Sequence, residues 1–306
     1  MCGRYAREKQ QVIDEEYHVI YNFGAIPPEC ISYDTARVVI LPVPLESTTT
    51  YRAGTRSAPE AIIRASGHME LYDEVLGVST YSVGIHTLPE LTPPSHPEKA
   101  ARLVKEAVGR VLRDGKVPCV MGGEHSVTVG SVQAVYEQHT DLSVLYLDAH
   151  ADLRDEFAGS SFSHACVARR VSEICPVVQV GLRSLSEGEV PLTNSGNVTT
   201  FFARELRGGL DVAAIVEKLN PNVYITIDMD VFDPSVVPGV GTPEPGGLDW
   251  LQVNEILRAA CENRTVCGFD LVELCSIPGS VVSEYTAARL IYRLIGLIAR
   301  SRGWFD

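Results

Sequence analysis

No two of the eight cysteines (Cys2, Cys30, Cys119, Cys166, Cys175, Cys261, Cys267 and Cys275) stand at C-x-x-C spacing. That spacing marks small zinc sites and redox pairs, so neither is expected. Several cysteines sit inside apolar runs such as "VPCVMGG" and "VCGFDLVEL". There they read as small buried hydrophobes in a reducing compartment. No apolar run reaches membrane-spanning length, and the N-terminal "MCGRYAREKQQVIDEEYHVI" has no apolar signal core. The expectation is a cytoplasmic protein. Positive charge is also scarce: Lys and Arg total 26 against 39 Asp and Glu, a net charge of −13. That balance argues against nucleic acid or an anionic membrane as partner and is compatible with a cationic substrate. Internal repeats, low-complexity segments and obvious linkers are missing too.

What is present is a globular composition, 45% hydrophobic and 21% charged over 306 residues. Eight short apolar runs alternate with helical patterns. The runs are "RVVILPVP" (37–44), "YSVGIHTL" (81–88), "VPCVMGG" (117–123), "LSVLYLD" (142–148), "VVQVGLR" (177–183), "NVTTFF" (197–202), "VYITID" (223–228) and "VCGFDLVEL" (266–274). Near-continuous Val, Ile and Leu is the pattern of strands buried on both faces. Between them, 97–115 repeats apolar residues at helical spacing and stops at Gly115, 249–263 opens on Asp249 as an N-cap, and 281–301 is an apolar closing helix. The expectation is an α/β fold: a single domain over 1–306, with a central parallel sheet of about eight strands flanked by helices on both faces. Residues 1–35 read as a less regular N-terminal extension.

In such sheets ligands gather at the carboxyl ends of the strands. Four runs end in acids or histidine: Glu124 and His125 in "GGEHS"; Asp148, His150 and Asp152 in "DAHAD"; Asp228, Asp230 and Asp233 in "DMDVFDP"; and Glu273 in "GFDLVEL". Alternate side chains of an extended segment share a face, so Asp148, His150 and Asp152 can point one way, as can Asp228 and Asp230. Alone, each motif has a structural reading: a polar strand end, a solvated rim, a turn before a helix. Together they would crowd carboxylates whose repulsion bound cations would relieve. The donor set is hard and oxygen-dominated, which suits Mn²⁺ better than a thiolate zinc site. Six ligands exceed one tetrahedral site and fit two metals sharing carboxylates roughly 3.5–4 Å apart.

"GGEHS", "DAHAD", "SHA", "DMDVFDPSVVPGVGTPEPGG" and "GFDLVEL", in this order, resemble the ureohydrolases: arginase, agmatinase and their relatives. The similarity runs from "VVILPVPLESTTTYRAGTRSAPEAIIRAS" to the last helix. The resemblance implies two Mn²⁺ per chain. His125 and Asp152 would bind the first and His150 and Asp230 the second, with Asp148 and Asp228 bridging. It implies hydrolysis of a guanidinium to urea and an amine by a metal-bridging hydroxide. Glu273 would hold the guanidinium, Asp152 would orient the nucleophile and pass on its proton, and His164 of "FSHA" would shuttle protons. Asp233 would shape its loop, and Arg183 of "VGLRS" would be structural. The resemblance further implies a homotrimer or homohexamer and a place in polyamine and putrescine biosynthesis.

Substrate choice turns on the loop "LRDEFAGSSFSHA", where Asp155 and Glu156 resemble the acidic loop of agmatinases. Two carboxylates favour the terminal ammonium of agmatine and disfavour an α-carboxylate. Agmatine, hydrolysed to putrescine and urea, is the expected substrate. After Glu273, however, "LCSIPGSVVSEY" departs from the agmatinase pattern. Aminopropylagmatine, guanidinobutyrate and arginine therefore stay open. A one-zinc, deacetylase-like amide hydrolase fits His125 and the paired Asp228 and Asp230 less well, and a non-catalytic relative would be expected to lack ligands that are all present.

Overall fold

Each apolar run contains a strand in the computed structural model, which describes residues 22–206, 209 and 211–305. The strands are β1 (Val38–Val43), β4 (Ile85–Thr87), β5 (Val117–Gly122), β6 (Leu142–Leu147), β7 (Val177–Leu182), β8 (Val198–Phe202), β9 (Asn222–Asp228) and β10 (Thr265–Val272); β2 (Tyr72–Asp73) and β3 (Val78–Ser79) form a separate two-stranded ribbon. The eight-stranded sheet is parallel throughout, in the order β4-β1-β5-β10-β9-β6-β7-β8. Its helices are α1 (Ala58–Ser66), α2 (Pro97–Arg113), α3 (Val127–Tyr136), α4 (Val167–Ser172), α5 (Ala203–Leu206), α6 (Val212–Glu217), α7 (Trp250–Asn263) and α8 (Val282–Ser301). Most of residues 1–35, expected as an extension, lies outside the described residues; Phe23–Ala25 and Pro28–Cys30 are short 3-10 turns.

Period-two alternation divides the core into two layers. Val38, Ile40, Cys119, Met121, Leu145, Leu147, Ile225 and Ile227 face one way, where α1, α6, α7 and α8 pack together. Val39, Leu41, Val43, Val120, Val144 and Tyr146 face the other, toward α2, α3 and α4. Of the seven cysteines among the described residues, six are buried and unpaired, and Cys30 is half-buried. No helix among the described residues is long and apolar enough to cross a membrane.

Local details follow the sequence with two differences. Asp249 caps α7 through a reciprocal box: Gln252 N–H donates to Asp249 Oδ1 at 2.8 Å, and Asp249 N–H to Gln252 Oε1 at 3.0 Å. Helix α2 ends at Arg113, two residues before Gly115, whose φ of 71° takes the left-handed turn. The run at 81–88 is strand only over Ile85–Thr87, because Thr80–Val83 coils into a 3-10 turn and Gly84 reverses it at φ 78°. A Cβ at Gly84 would lie 2.9 Å from Ala36 Cα, so the chain can enter the sheet there only as glycine. β10 stops at Val272, which leaves Glu273 beyond the strand.

Candidate metal centre

Four neighbouring strands, β5, β10, β9 and β6, end under one cavity of about 300 Å³. His125, His150, Asp152, Asp228, Asp230 and Glu273 line it, with His164, Phe157, Arg154, Ser186 and Glu189 among the rest of its wall. The chain leaves β5 to build β6 three places away, with β10 and β9 between them, so the site sits where the winding direction changes. The backbone at the mouth is tight. A Cβ at Gly123 would stand 2.0 Å from Leu45 O, while Gly123 O accepts the Glu273 N–H at 2.8 Å. Glycine here lets three strand-end loops meet. Asp152 and Glu273 are held at φ 49° and 61°, a conformation that non-glycine residues seldom adopt outside functional sites.

Among the described residues two groups of potential ligands form, each with its ligand atoms within 4.8 Å of one another: His125, Asp148 and Asp228; and Asp148, His150 and Asp230. Asp148 belongs to both. Three carboxylates divide their oxygens in the same way. One oxygen accepts a backbone N–H: Asp148 from His150 at 2.6 Å, Asp228 from Asp230 at 2.8 Å and Asp230 from Ala149 at 3.0 Å. The other turns to an imidazole. Asp148 Oδ2 and Asp228 Oδ2 lie 3.1 and 3.3 Å from His125 Nδ1, and Asp230 Oδ2 lies 2.8 Å from His150 Nδ1. Asp152 stands just outside the first group, its Oδ2 3.5 Å from His125 Nδ1 and accepting the Tyr146 hydroxyl at 2.8 Å.

The electrostatics call for positive charge. Burial, then the charge of Asp148, pushes Asp152 up to about 8, and burial with Asp230 and Asp148 drives Asp228 well up. Burial would raise Asp148 as well, but hydrogen bonds with His125 and His150 outweigh it and hold it low. Burial would lower both histidines; the carboxylates overcome it and raise them, Asp148 and Asp228 acting on His125, and Asp230 and Asp148 on His150. Asp148 Oδ2 is sealed from water and faces the His125 imidazole at 3.1 Å. A buried carboxylate common to two groups of nitrogen and oxygen donors fits a pair of divalent cations, which would replace those imidazole protons.

Glu273 is drawn up to about 8, by desolvation first, and its Oε1 accepts the His125 N–H at 2.6 Å. Burial lowers His164. Asp233 plays no part in either group; it binds Ser235 through Oδ1 and the Gly246 and Gly247 N–H groups through Oδ2, fastening its loop. Arg183 donates to the carbonyls of Gly181, Asp230, Val231, Phe232 and Glu244, so it braces the ligand-bearing turn. Asp155 and Glu156 line a second, adjoining cavity that shares Arg154, Ser186 and Glu189 with the first. Asp155 is exposed and paired with Arg170 at 2.5 Å.

Sequence reasoning passed over an inner ring. His125 Nε2 meets Thr226 Oγ1 at 2.9 Å, and Thr226 donates to Asp270, which also accepts the Thr128 and Tyr224 hydroxyls at 2.8 Å each. Burial raises Asp270, and these hydroxyls oppose the rise. Tyr146 belongs to the same ring. The available signal was polar residues interrupting fully buried strands, Tyr146 and Thr226 each two positions before a ligand.

The arginase family model matches residues 36–296. An N(1)-aminopropylagmatine ureohydrolase of Synechocystis sp. is 40% identical over 281 residues, 89% of this chain and 92% of its own. Another, of Thermus thermophilus, is 42% identical over 277 residues, 90% and 94% of the two chains. The crystal structure of the agmatine ureohydrolase of Thermoplasma volcanium superposes with a TM-score of 0.83 at 29% identity, covering 89% of this chain and 93% of that one. The chain belongs to the arginase family and is a ureohydrolase, a hydrolase of guanidino compounds.

Proposed function

We propose that the chain hydrolyses the guanidinium of a cationic polyamine derivative to urea and a primary amine, with two Mn²⁺ ions held by His125, Asp148, Asp228 and Asp152 and by His150, Asp230 and the shared carboxylates. The observation that carries this is Glu273 in the wall of the same cavity as two ligand groups joined at Asp148. Bound cations would supply a water acidified enough to serve as hydroxide at neutral pH. Glu273, with Oε1 engaged by His125, offers Oε2 to the guanidinium as a charge-assisted acceptor. Asp152, steadied by Tyr146, orients the attacking water and takes up its proton. His164, in the same wall, delivers a proton to the departing amine.

N(1)-aminopropylagmatine is the preferred substrate in this reading, ahead of agmatine. The relatives at 40% and 42% identity carry that name, and "LCSIPGSVVSEY" departs from the agmatinase pattern. The placement of Asp155 and Glu156 agrees with it. They line the adjoining cavity, so a substrate meets them only if its cationic tail extends past Glu189. Agmatine is the second reading, favoured by the agmatine ureohydrolase of matching fold. Urea release by manganese-loaded protein, with aminopropylagmatine, agmatine, arginine and guanidinobutyrate assayed in parallel, is the test. Highest kcat/KM with aminopropylagmatine is expected. Preference for agmatine would reverse the order of the two readings, and no urea from any of the four would overturn the function.

A further inference from the structure

Glu124 is fully buried at the end of β5 and belongs to neither ligand group. Its Oε2 accepts the backbone N–H groups of Ser47 at 2.5 Å and Thr48 at 2.7 Å. Its Oε1 is ringed by the hydroxyls of Ser126 at 2.5 Å, Thr48 at 3.0 Å and Ser47 at 3.2 Å. A carboxylate in this setting only accepts, so the single hydroxyl proton of Thr48 points to Glu124. The same Thr48 oxygen lies 3.0 Å from the backbone nitrogen of His164 and 3.1 Å from its Nδ1.

The backbone nitrogen must donate. Thr48, its proton already directed to Glu124, can meet Nδ1 only as an acceptor, so Nδ1 carries hydrogen. Ser163 Oγ also approaches Nδ1, at the longer distance of 3.4 Å. Nε2 makes no hydrogen bond among the described residues, and the ring lines the cavity with Phe157 edge-on to it.

We propose that Thr48, clamped by Glu124, is a positioning residue that fixes His164 as its Nδ1–H tautomer and presents Nε2 as the proton-carrying nitrogen. Nε2 takes a proton from solvent to form the imidazolium and gives it to the leaving amine, returning to neutral Nδ1–H. This rests on the reading of His164 as proton carrier in the proposed hydrolysis. A tautomer is a property of the protein alone, so it can be measured whichever substrate is correct.

The experiment records long-range ¹H–¹⁵N spectra of the full chain loaded with diamagnetic Zn²⁺, with His164 signals assigned by their loss in His164→Asn. Wild type and Thr48→Ser should show His164 protonated on Nδ1, and Thr48→Val should move the hydrogen to Nε2. In manganese-loaded enzyme, Thr48→Val should lower kcat by about 10-fold or more with KM and metal content unchanged, and Thr48→Ser should restore it. Nε2–H in wild type, or an unmoved tautomer in Thr48→Val, would overturn the clamp even if kcat falls. Absence of urea from wild type with every guanidino substrate would count against the proposed hydrolysis, and the spectra would still decide the tautomer.

Discussion

His125 Nε2 rests 2.9 Å from the hydroxyl oxygen of Thr226, which itself donates to Asp270 at 2.5 Å. The chain Asp270–Thr226–His125 has one consistent direction. Thr226 gives its proton to the carboxylate and accepts Nε2–H, which leaves Nδ1 facing Asp148 and Asp228, where a cation would take the place of its proton. A ligating imidazole needs that orientation fixed by a partner behind it. Thr226→Val should therefore weaken binding of one cation about 10- to 100-fold, measured by titrating metal-free protein with Mn²⁺. An unchanged pair of affinities would remove Thr226 from this role.

Asp148 is common to both ligand groups, whereas each histidine belongs to one. Asp148→Asn should strip both cations and abolish urea release. His125→Asn and His150→Asn should each lose about one of the two, read by elemental analysis of dialysed protein. Asp228 falls within the first group only, whereas the family resemblance implies that it bridges. Loss of both cations in Asp228→Asn would support the bridge.

Glu273→Gln keeps the shape of the side chain and removes its charge. The expected result is two cations still bound and kcat/KM lower by about 100-fold, the loss of one charge-assisted contact of roughly 3 kcal/mol. Loss of metal in this variant would recast Glu273 as a ligand.

Far from the cavity, Arg293 of α8 holds Asp73 of the β2–β3 ribbon, Nε to Oδ2 at 2.8 Å, both buried. Burial would raise Asp73, but the hydrogen bond from Arg293 and the Leu76 and Val75 N–H groups lower it below the usual carboxylate value. A carboxyl lowered in the folded state stabilises above its unfolded pKa, near 4, and loses that contribution as pH falls through the folded value. Arg293→Met should cost about 3–5 kcal/mol at pH 7 by leaving a buried charge unpaired. The gap to wild type should narrow below about pH 4, as Asp73 protonates. Urea denaturation at pH 7 and pH 3 measures both.

Much of the sheet was legible because strands buried on both faces must be apolar along their length, and the chain contains eight such runs. The boundary at 81–88 was not, since the pattern could not show that Gly84 would have to reverse the chain against Ala36. Histidine and aspartate at alternate positions likewise pointed to metal in "DAHAD". Asp155 and Glu156 follow the motif closely in sequence, and only the fold shows that they line the adjoining cavity, with Asp155 held by Arg170.

By itself, the sequence determined the α/β architecture, the residue types able to hold hard cations and the family, because apolar periodicity and motif order are local properties of the chain. The tertiary structure decided which carboxylate is shared, which nitrogen of His125 faces the ligand carboxylates, and that Glu124 grips Thr48 across 76 residues. Those are distances between segments remote in sequence, fixed only when β5, β10, β9 and β6 lie side by side.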